Sequence, residues 1–273
     1  MKPAPFSHIR PDTAAAVSAG LSGESAKIIA GGQSLGPMLN LRLARPAKLV
    51  GLAALPGQAE ISEEGGALVI GAGVIHARIE DGDSPVELPA MMRHVARGIA
   101  YRAVRNRGTL GGSLAHADPA ADWVTTMTAL DATLRLQGAS GARATPMRGF
   151  MQGAYRTALA PGEFITAVEI AAPLRAPLWG YHKICRKVGE FADAIGAVVI
   201  EPASGYARIV AGATGAAPLL LPELAADLAR SATAPAPARI TEALAAALPG
   251  ADRVKLHQLT TSLARAIDKV IAQ

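Results

Sequence analysis

The stretch Thr109-Leu-Gly-Gly-Ser-Leu-Ala-His-Ala-Asp-Pro-Ala-Ala-Asp122 decides how the rest of the chain is read. Its paired glycines lie between two hydroxyl residues, Thr109 and Ser113. Backbone without a Cβ can approach a ligand closely and turn its amide N–H groups toward an anion. A second glycine pair stands far upstream in Ala30-Gly-Gly-Gln-Ser-Leu35, with a hydroxyl residue again close by. The two bends, at 31–34 and 109–113, read either as closing on one diphosphate from two sides or as two unrelated tight turns of a glycine-rich chain. On the first reading, their amides and the hydroxyls of Ser34, Thr109 and Ser113 would share the diphosphate charge.

Other glycine patterns carry less. Gly71-Ala-Gly-Val-Ile-His76 begins like a dinucleotide fingerprint but has histidine where the third small residue belongs, so close helix–strand packing is lost. Gly31-Gly-Gln-Ser-Leu-Gly36 lacks the Gly-Lys-Ser/Thr ending of a nucleoside-triphosphate loop. Gly32-Gln-Ser-Leu-Gly36 fits the G-x-S-x-G elbow of serine hydrolases, with Ser34 as nucleophile and His116, His182 or His257 as base. That alternative needs strands and an oxyanion loop upstream, and only about thirty residues precede the elbow.

Working outward, Lys27-Ile-Ile-Ala30 reads as a buried strand, and Pro37 opens a short helix over 38–43. Strands are expected at 48–52 and 67–70, and a helix from Ile75 to Glu80. Leu88, Met91, Met92, Val95 and Ile99 recur at helical spacing. The arginines at 97, 102, 105 and 107 read as a solvated helix end. Beyond Asp122 the pattern gives a helix over 123–130, two strands around Gly138-Ala-Ser-Gly141 and a third over 163–170. The segment 173–177 is the best linker. Strands at 179–188, 194–200 and 205–213 precede helices at 222–231, 239–248 and 258–272. The last helix carries Leu259, Leu263, Ile267 and Val270 on one face. Strands followed by helices describe a small α+β unit.

Composition excludes several classes. Half of the 273 residues are hydrophobic and 18% are charged, enough for a sizeable core and too apolar for intrinsic disorder. No apolar stretch approaches the ~20 residues a membrane helix needs. Met1–Phe6 shows no apolar run with a cleavage site, and a lone Cys185 fits a reducing compartment; a cytoplasmic location is expected. One cysteine cannot hold an iron–sulfur cluster, which usually takes four ligands. A net charge of +5 with 4% aromatic residues gives no basic, stacking face for nucleic acid.

Ala30-Gly-Gly-Gln-Ser-Leu35 with Pro37 and Arg42, followed by the Thr109–Asp122 stretch, resembles the two FAD-binding loops of the medium, flavin-carrying subunit of molybdenum hydroxylases. Carbon monoxide dehydrogenase and xanthine dehydrogenase are members of that family. Tyr181-His-Lys-Ile-Cys-Arg-Lys-Val-Gly-Glu-Phe-Ala-Asp193 and Gly212-Ala-Thr-Gly-Ala-Ala-Pro218 resemble the family's C-terminal domain. Ser113 stands where the family often has asparagine, and 189–193 is stretched relative to the usual pattern. The resemblance implies an α+β chain: a two-subdomain, PCMH-type FAD-binding domain over 1–175, its internal boundary near 53–60. A smaller C-terminal α+β domain over 176–273, with an antiparallel sheet and helices, would follow.

The same resemblance implies non-covalent FAD cradled by Ala30, Gly31, Gly32, Gln33, Ser34 and Leu35 from one side. Thr109, Gly111, Gly112 and Ser113 would hold it from the other. Asp122 would accept hydrogen bonds from a cofactor hydroxyl or an amide, Ile165 would pack on the cofactor, and Lys183 would sit near the flavin ring. Molybdopterin and [2Fe-2S] clusters would reside on a large and a small partner subunit, the whole assembled as a dimer of heterotrimers. Electrons would pass from the clusters through FAD to an external acceptor, and no residue of this chain would act on the organic substrate. A cofactor-free scaffold of the same fold is the remaining alternative.

Overall fold

The computed structural model of the chain describes residues 2–22 and 25–273. Among the described residues, three larger β-sheets follow one another along it, with a two-stranded one inserted in the span of the second. The first is parallel and three-stranded, built from β1 (Ser7–Ile9), β2 (Ala26–Ile29) and β3 (Lys48–Gly51), with β3 central. Helix α1 (Ala14–Leu21) joins β1 to β2, its first turn capped by Thr13 Oγ1 accepting from the Ala16 amide. Helix α2 (Leu35–Asn40) joins β2 to β3. The expected helix over 38–43 is therefore displaced. Pro37 sits within its first turn, and Arg42 at φ +58° ends the helical path early.

The second sheet is antiparallel and five-stranded. β4 (Ile61–Glu64) and β5 (Ala67–Gly71) form a hairpin at one side. The chain then runs through α3 (His76–Asp81), α4 (Ala90–Arg97), α5 (Arg102–Arg105), α6 (Leu110–His116) and α7 (Asp122–Ala129). It returns through β6 (Thr133–Gly138) and β7 (Gly141–Pro146), makes the small hairpin β8 (Met151–Gly153) and β9 (Arg156–Thr157), and closes the sheet with β10 (Phe164–Ile170). The order is β4-β5-β10-β6-β7. β6 alternates half-buried and buried residues, the period of a strand with one face on the core.

Helix α6 corrects the reading of 109–113 as a bend. Thr109 caps it, its Oγ1 accepting from the Gly112 amide at 3.1 Å, and the glycine pair forms its first turn. Every residue of α7 is buried. Thr126 and Thr128 donate to carbonyls one turn back, at 2.9 and 2.7 Å, which satisfies their hydroxyls, while Thr125 Oγ1 has no partner among the described residues.

The arginines read as a solvated helix end divide. Arg105 Nε is paired with Glu80 at 2.7 Å and donates to the carbonyls of Ile99 and Ala100, with only 11% of its side chain exposed. Arg102 pairs with Glu80 and Asp81. Arg105 is an internal brace between α5 and α3, whereas Arg102 makes its pairs from the surface. Arg97 and Arg107 remain exposed.

After a 3-10 turn at Ala172–Arg175, which overlaps the expected linker over 173–177, the third sheet is antiparallel: β11 (Leu178–Ile184), β12 (Ala194–Glu201), β13 (Tyr206–Gly212) and β14 (Leu219–Leu220). The expected strand over 179–188 stops at Ile184, where pairing with Ala194 ends. Helices α8 (Pro222–Ser231), α9 (Pro237–Ala247) and α10 (Arg253–Ile271) cover one face. The expected stripe of α10 is the buried one: Leu259, Leu263, Ile267 and Val270 pack with Val198, Ile209 and Leu224. The other face, with Ile195, Ala197 and Val210, joins Trp123, Val124 and Met127 of α7 in the largest core. Phe164 of β10 packs with Val17 and Val50 of the first sheet.

Candidate functional site

A cavity of about 650 Å³ opens where the end of β2 meets α6 and β10. Ligand pockets for cofactors typically run from ~300 to 1,000 Å³. Its wall contains Ala30, Gly31, Gly32, Gln33, Ser34 and Leu35 from one loop. Thr109, Gly111, Gly112 and Ser113 come from the other, together with Asp122 and Ile165. The two glycine segments are thus neighbours in space although far apart in sequence.

How closely they meet is set by Gly31. A Cβ there would overlap the Arg107 carbonyl oxygen and stand 2.9 Å from the Gly108 Cα. Backbone rests on backbone at that point, and only glycine permits it. The second segment is in turn bound to β5 and the turn after it. The His76 amide donates to the Gly108 carbonyl at 2.9 Å, the Leu110 amide to Val74 at 3.0 Å and the Gly111 amide to Ala72 at 2.8 Å.

These bonds reassign the roles expected of the two bends. The amides of Leu110, Gly111, Gly112 and Ser113 are all spent on protein carbonyls or on Thr109 Oγ1. They are not turned toward a ligand. The amides of Gly31, Gly32, Gln33 and Ser34 carry no hydrogen bond among the described residues. The first loop therefore supplies the outward N–H groups. The second supplies hydroxyls, close backbone and rigidity.

Asp122 begins α7 without capping it, since Ala121 holds the cap position and no side chain bonds there. Its carboxylate instead accepts from Tyr181 Oη at 2.6 Å and from Lys183 Nζ at 3.0 Å on Oδ1 and 3.2 Å on Oδ2. Burial pushes the Asp122 carboxyl up, against the pull of the Lys183 ammonium. Burial and the Asp122 charge hold the Tyr181 phenol well above its usual range. A carboxylate offers about four acceptor positions, so this set leaves one on Oδ2.

Lys183 is not in the wall of the main cavity. Its ammonium also donates to the Gly98 carbonyl at 2.9 Å. It lines a second cavity of about 210 Å³ beside His94, Tyr181, Cys185 and Lys269. Asp122 and Gly189 border both spaces. Lys183 thus reaches the larger cavity through Asp122. Ile165 is buried at its wall, next to an irregularity in the β10–β6 register. That irregularity keeps Ile165 and Val168, three apart in sequence, in one core, while Phe164 packs in another with Val17 and Val50.

Sequence reading missed several lining residues. His76 was visible only as a flaw in a fingerprint, yet it lines the cavity and is 5% exposed. Gln58 is 4% exposed with its Oε1 unpartnered, while its Nε2 donates to Thr166 O at 3.4 Å. Exposed Phe191 and half-buried Glu190 stand at the wall as well. No local pattern marks Gln58, and the 181–193 stretch marks Glu190 and Phe191 only as part of the C-terminal domain. Ser34 Oγ hydrogen-bonds no histidine among the described residues, so the nucleophile elbow lacks its base.

The cavity fits a dinucleotide on the residues present: a run of unpartnered amides, a volume of about 650 Å³ and an orphaned buried oxygen on Gln58. Residues 4–173 match the family model described as FAD binding domain in molybdopterin dehydrogenase. The nicotine 6-hydroxylase medium subunit of Paenarthrobacter nicotinovorans is 39% identical over 194 residues, 71% of this chain and 68% of that protein. The carbon monoxide dehydrogenase medium chain of Afipia carboxidovorans is 39% identical over 208 residues, 75% of this chain and 72% of that protein. The crystal structure of cyanide-inactivated Cu,Mo-CO dehydrogenase superposes at a TM-score of 0.91 and 33% identity, covering 100% of this chain and 99% of that one. Quinoline 2-oxidoreductase from Pseudomonas putida 86 gives 0.87 and 32% over the same shares.

Proposed function

The chain belongs to the family of FAD-binding domains of molybdopterin dehydrogenases, and from that premise we infer that it is the flavoprotein subunit of a molybdenum hydroxylase complex. The observation that carries this reading is the convergence of both glycine segments on one cavity of dinucleotide size. The serine hydrolase alternative gains nothing from the relatives or from the surroundings of Ser34.

Bound FAD would supply the redox chemistry, and the chain's own residues bind, orient and enclose it. The amides of Gly31–Ser34 would hold the diphosphate, helped by the hydroxyls of Ser34, Thr109 and Ser113. Asp122, fixed by Tyr181 and Lys183, would use its remaining acceptor position on a cofactor hydroxyl or amide. Ile165 would pack on the ring system. The succession of sheets supports a two-part FAD-binding domain over 1–175, divided near 53–60, and a C-terminal domain over 176–273.

The relatives are medium subunits of multi-subunit enzymes. By the same reading, a large subunit with the molybdenum cofactor and a small one with [2Fe-2S] clusters accompany this chain. A dimer of such heterotrimers, working in the cytoplasm and passing electrons to an external acceptor, completes the proposal. Among the described residues no helix is long and apolar enough to cross a membrane.

The test is an absorption spectrum of the full-length chain, purified alone and with its co-expressed neighbours. Two visible flavin bands, released as FAD on denaturation, are expected. A chain colourless in both preparations that also takes up no added FAD overturns the reading.

A further inference from the structure

His76 is the first residue of α3, directly after the turn that follows β5. Its Nδ1 accepts a hydrogen bond from the Trp123 indole at 3.1 Å. An indole N–H can only donate, so Nδ1 is bare and the ring proton is on Nε2. Nε2 finds no acceptor among the described residues. The residue is 5% exposed and lines the main cavity, so this donor is open to a group seated there, which can accept it in place of water.

Position says what that is. His76 lines the main cavity, and a Cβ at position 108 would stand 2.8 Å from Nε2. Glycine at 108 is therefore what lets the backbone pass this close to the ring without a side chain over Nε2. Gly108 also lies against Gly31, where the run of unpartnered amides begins. Burial and the Arg105 guanidinium lower the imidazole to about 4, so the ring is a neutral donor at ordinary pH.

We propose that His76 is a ligand-binding residue of this cavity, donating its Nε2–H to a diphosphate oxygen of the dinucleotide seated there. The proposal rests on the flavin-site reading above. It adds a residue that neither glycine segment contains, held in one tautomer by Trp123.

The test uses the full-length chain stripped of cofactor. In the wild type labelled with 15N-histidine, saturation with FAD is expected to move the Nε2–H resonance, and ADP is expected to move it likewise. His76→Leu is expected to weaken FAD and ADP binding by about tenfold or more, the size of one hydrogen bond to a charged acceptor. His76→Gln, which can place an amide N–H near the same point, should stay within about threefold of wild type. An unmoved resonance, or unchanged FAD affinity in His76→Leu, overturns the proposal while leaving the flavin reading intact. A shift with FAD but none with ADP removes the diphosphate as acceptor. Failure of the wild-type chain to bind FAD at all overturns both.

Discussion

Lys183 Nζ lies 3.0 Å from an Asp122 carboxylate oxygen, and both side chains are more than nine-tenths buried. Removing one partner of such a pair strands the other charge, at a cost of about 3–5 kcal/mol. Lys183→Met is therefore expected to lose stability on that scale in denaturant unfolding. Adding Asp122→Asn to it should recover most of the loss, because the amide needs no counter-charge. A double variant as unstable as the sum of the two singles would show that the pair is not coupled.

Gly31→Ala drives a methyl group into the Arg107 carbonyl. The backbone there cannot rotate away as a side chain can, so a loss of about 1–3 kcal/mol is expected, with FAD affinity falling alongside. Gly36→Ala is the control. Beyond its chain neighbours and its own helix nothing lies within 4 Å of the added carbon, so the loss should stay under about 1 kcal/mol, set by a helical backbone ahead of Pro37. Equal effects of the two changes would contradict the close contact.

Acid stability separates two groups. His76 is lowered from 6.5 to about 4 in the fold, so the unfolded chain binds its proton more readily. Its contribution is complete above pH 6.5 and lost as pH falls to about 4, a total of about 3 kcal/mol. Glu163, lowered from 4.5 to about 2 chiefly by the Arg143 hydrogen bonds, loses its contribution in the lower window between those values. His76→Gln should flatten the upper slope of unfolding free energy against pH, and Glu163→Gln only the lower one.

Ser34→Ala is expected to weaken FAD binding by about 1 kcal/mol, the usual net value of one hydrogen bond. Fluorescence titration of the cofactor measures it. Loss of an esterase activity by several powers of ten on the same change would instead reinstate the serine as a nucleophile.

The parts of the fold legible in the sequence were those written in local pattern. The buried face of α10 follows from Leu259, Leu263, Ile267 and Val270 at helical spacing, and the two glycine pairs announced their segments without any contact being known. β1 has three exposed residues, and β4 buries only Ile61, so neither carries an alternation to read. α1 buries only Val17 and Gly20 among alanines. α6 was hidden by the low helix propensity of its glycine pair, which the Thr109 cap and packing on Ala72 override.

At the site, the residue types were readable and the bonding was not. The placement of Ala30–Leu35 opposite Thr109–Ser113 concerns backbone that glycine marks. Which amides are spent depends on the neighbouring 72–76 turn, and no periodicity encodes that partner. The His76–Trp123 bond joins residues 47 apart and depends on the path of three helices. Lys183 was assigned to the ring by resemblance alone, whereas its register opposite Ile195 turns it toward Asp122 and Gly98.

Helix α7 is buried on all sides because β12 and β13 lie across it. Clipped at the 172–175 turn, the N-terminal piece would lay Thr125, which lies against Gly212, and the Asp122 charge, which is held by Tyr181 and Lys183, open to water at once. The nucleotide half is consequently no detachable module. A shortened expression product would yield insoluble aggregate in place of a smaller yellow protein.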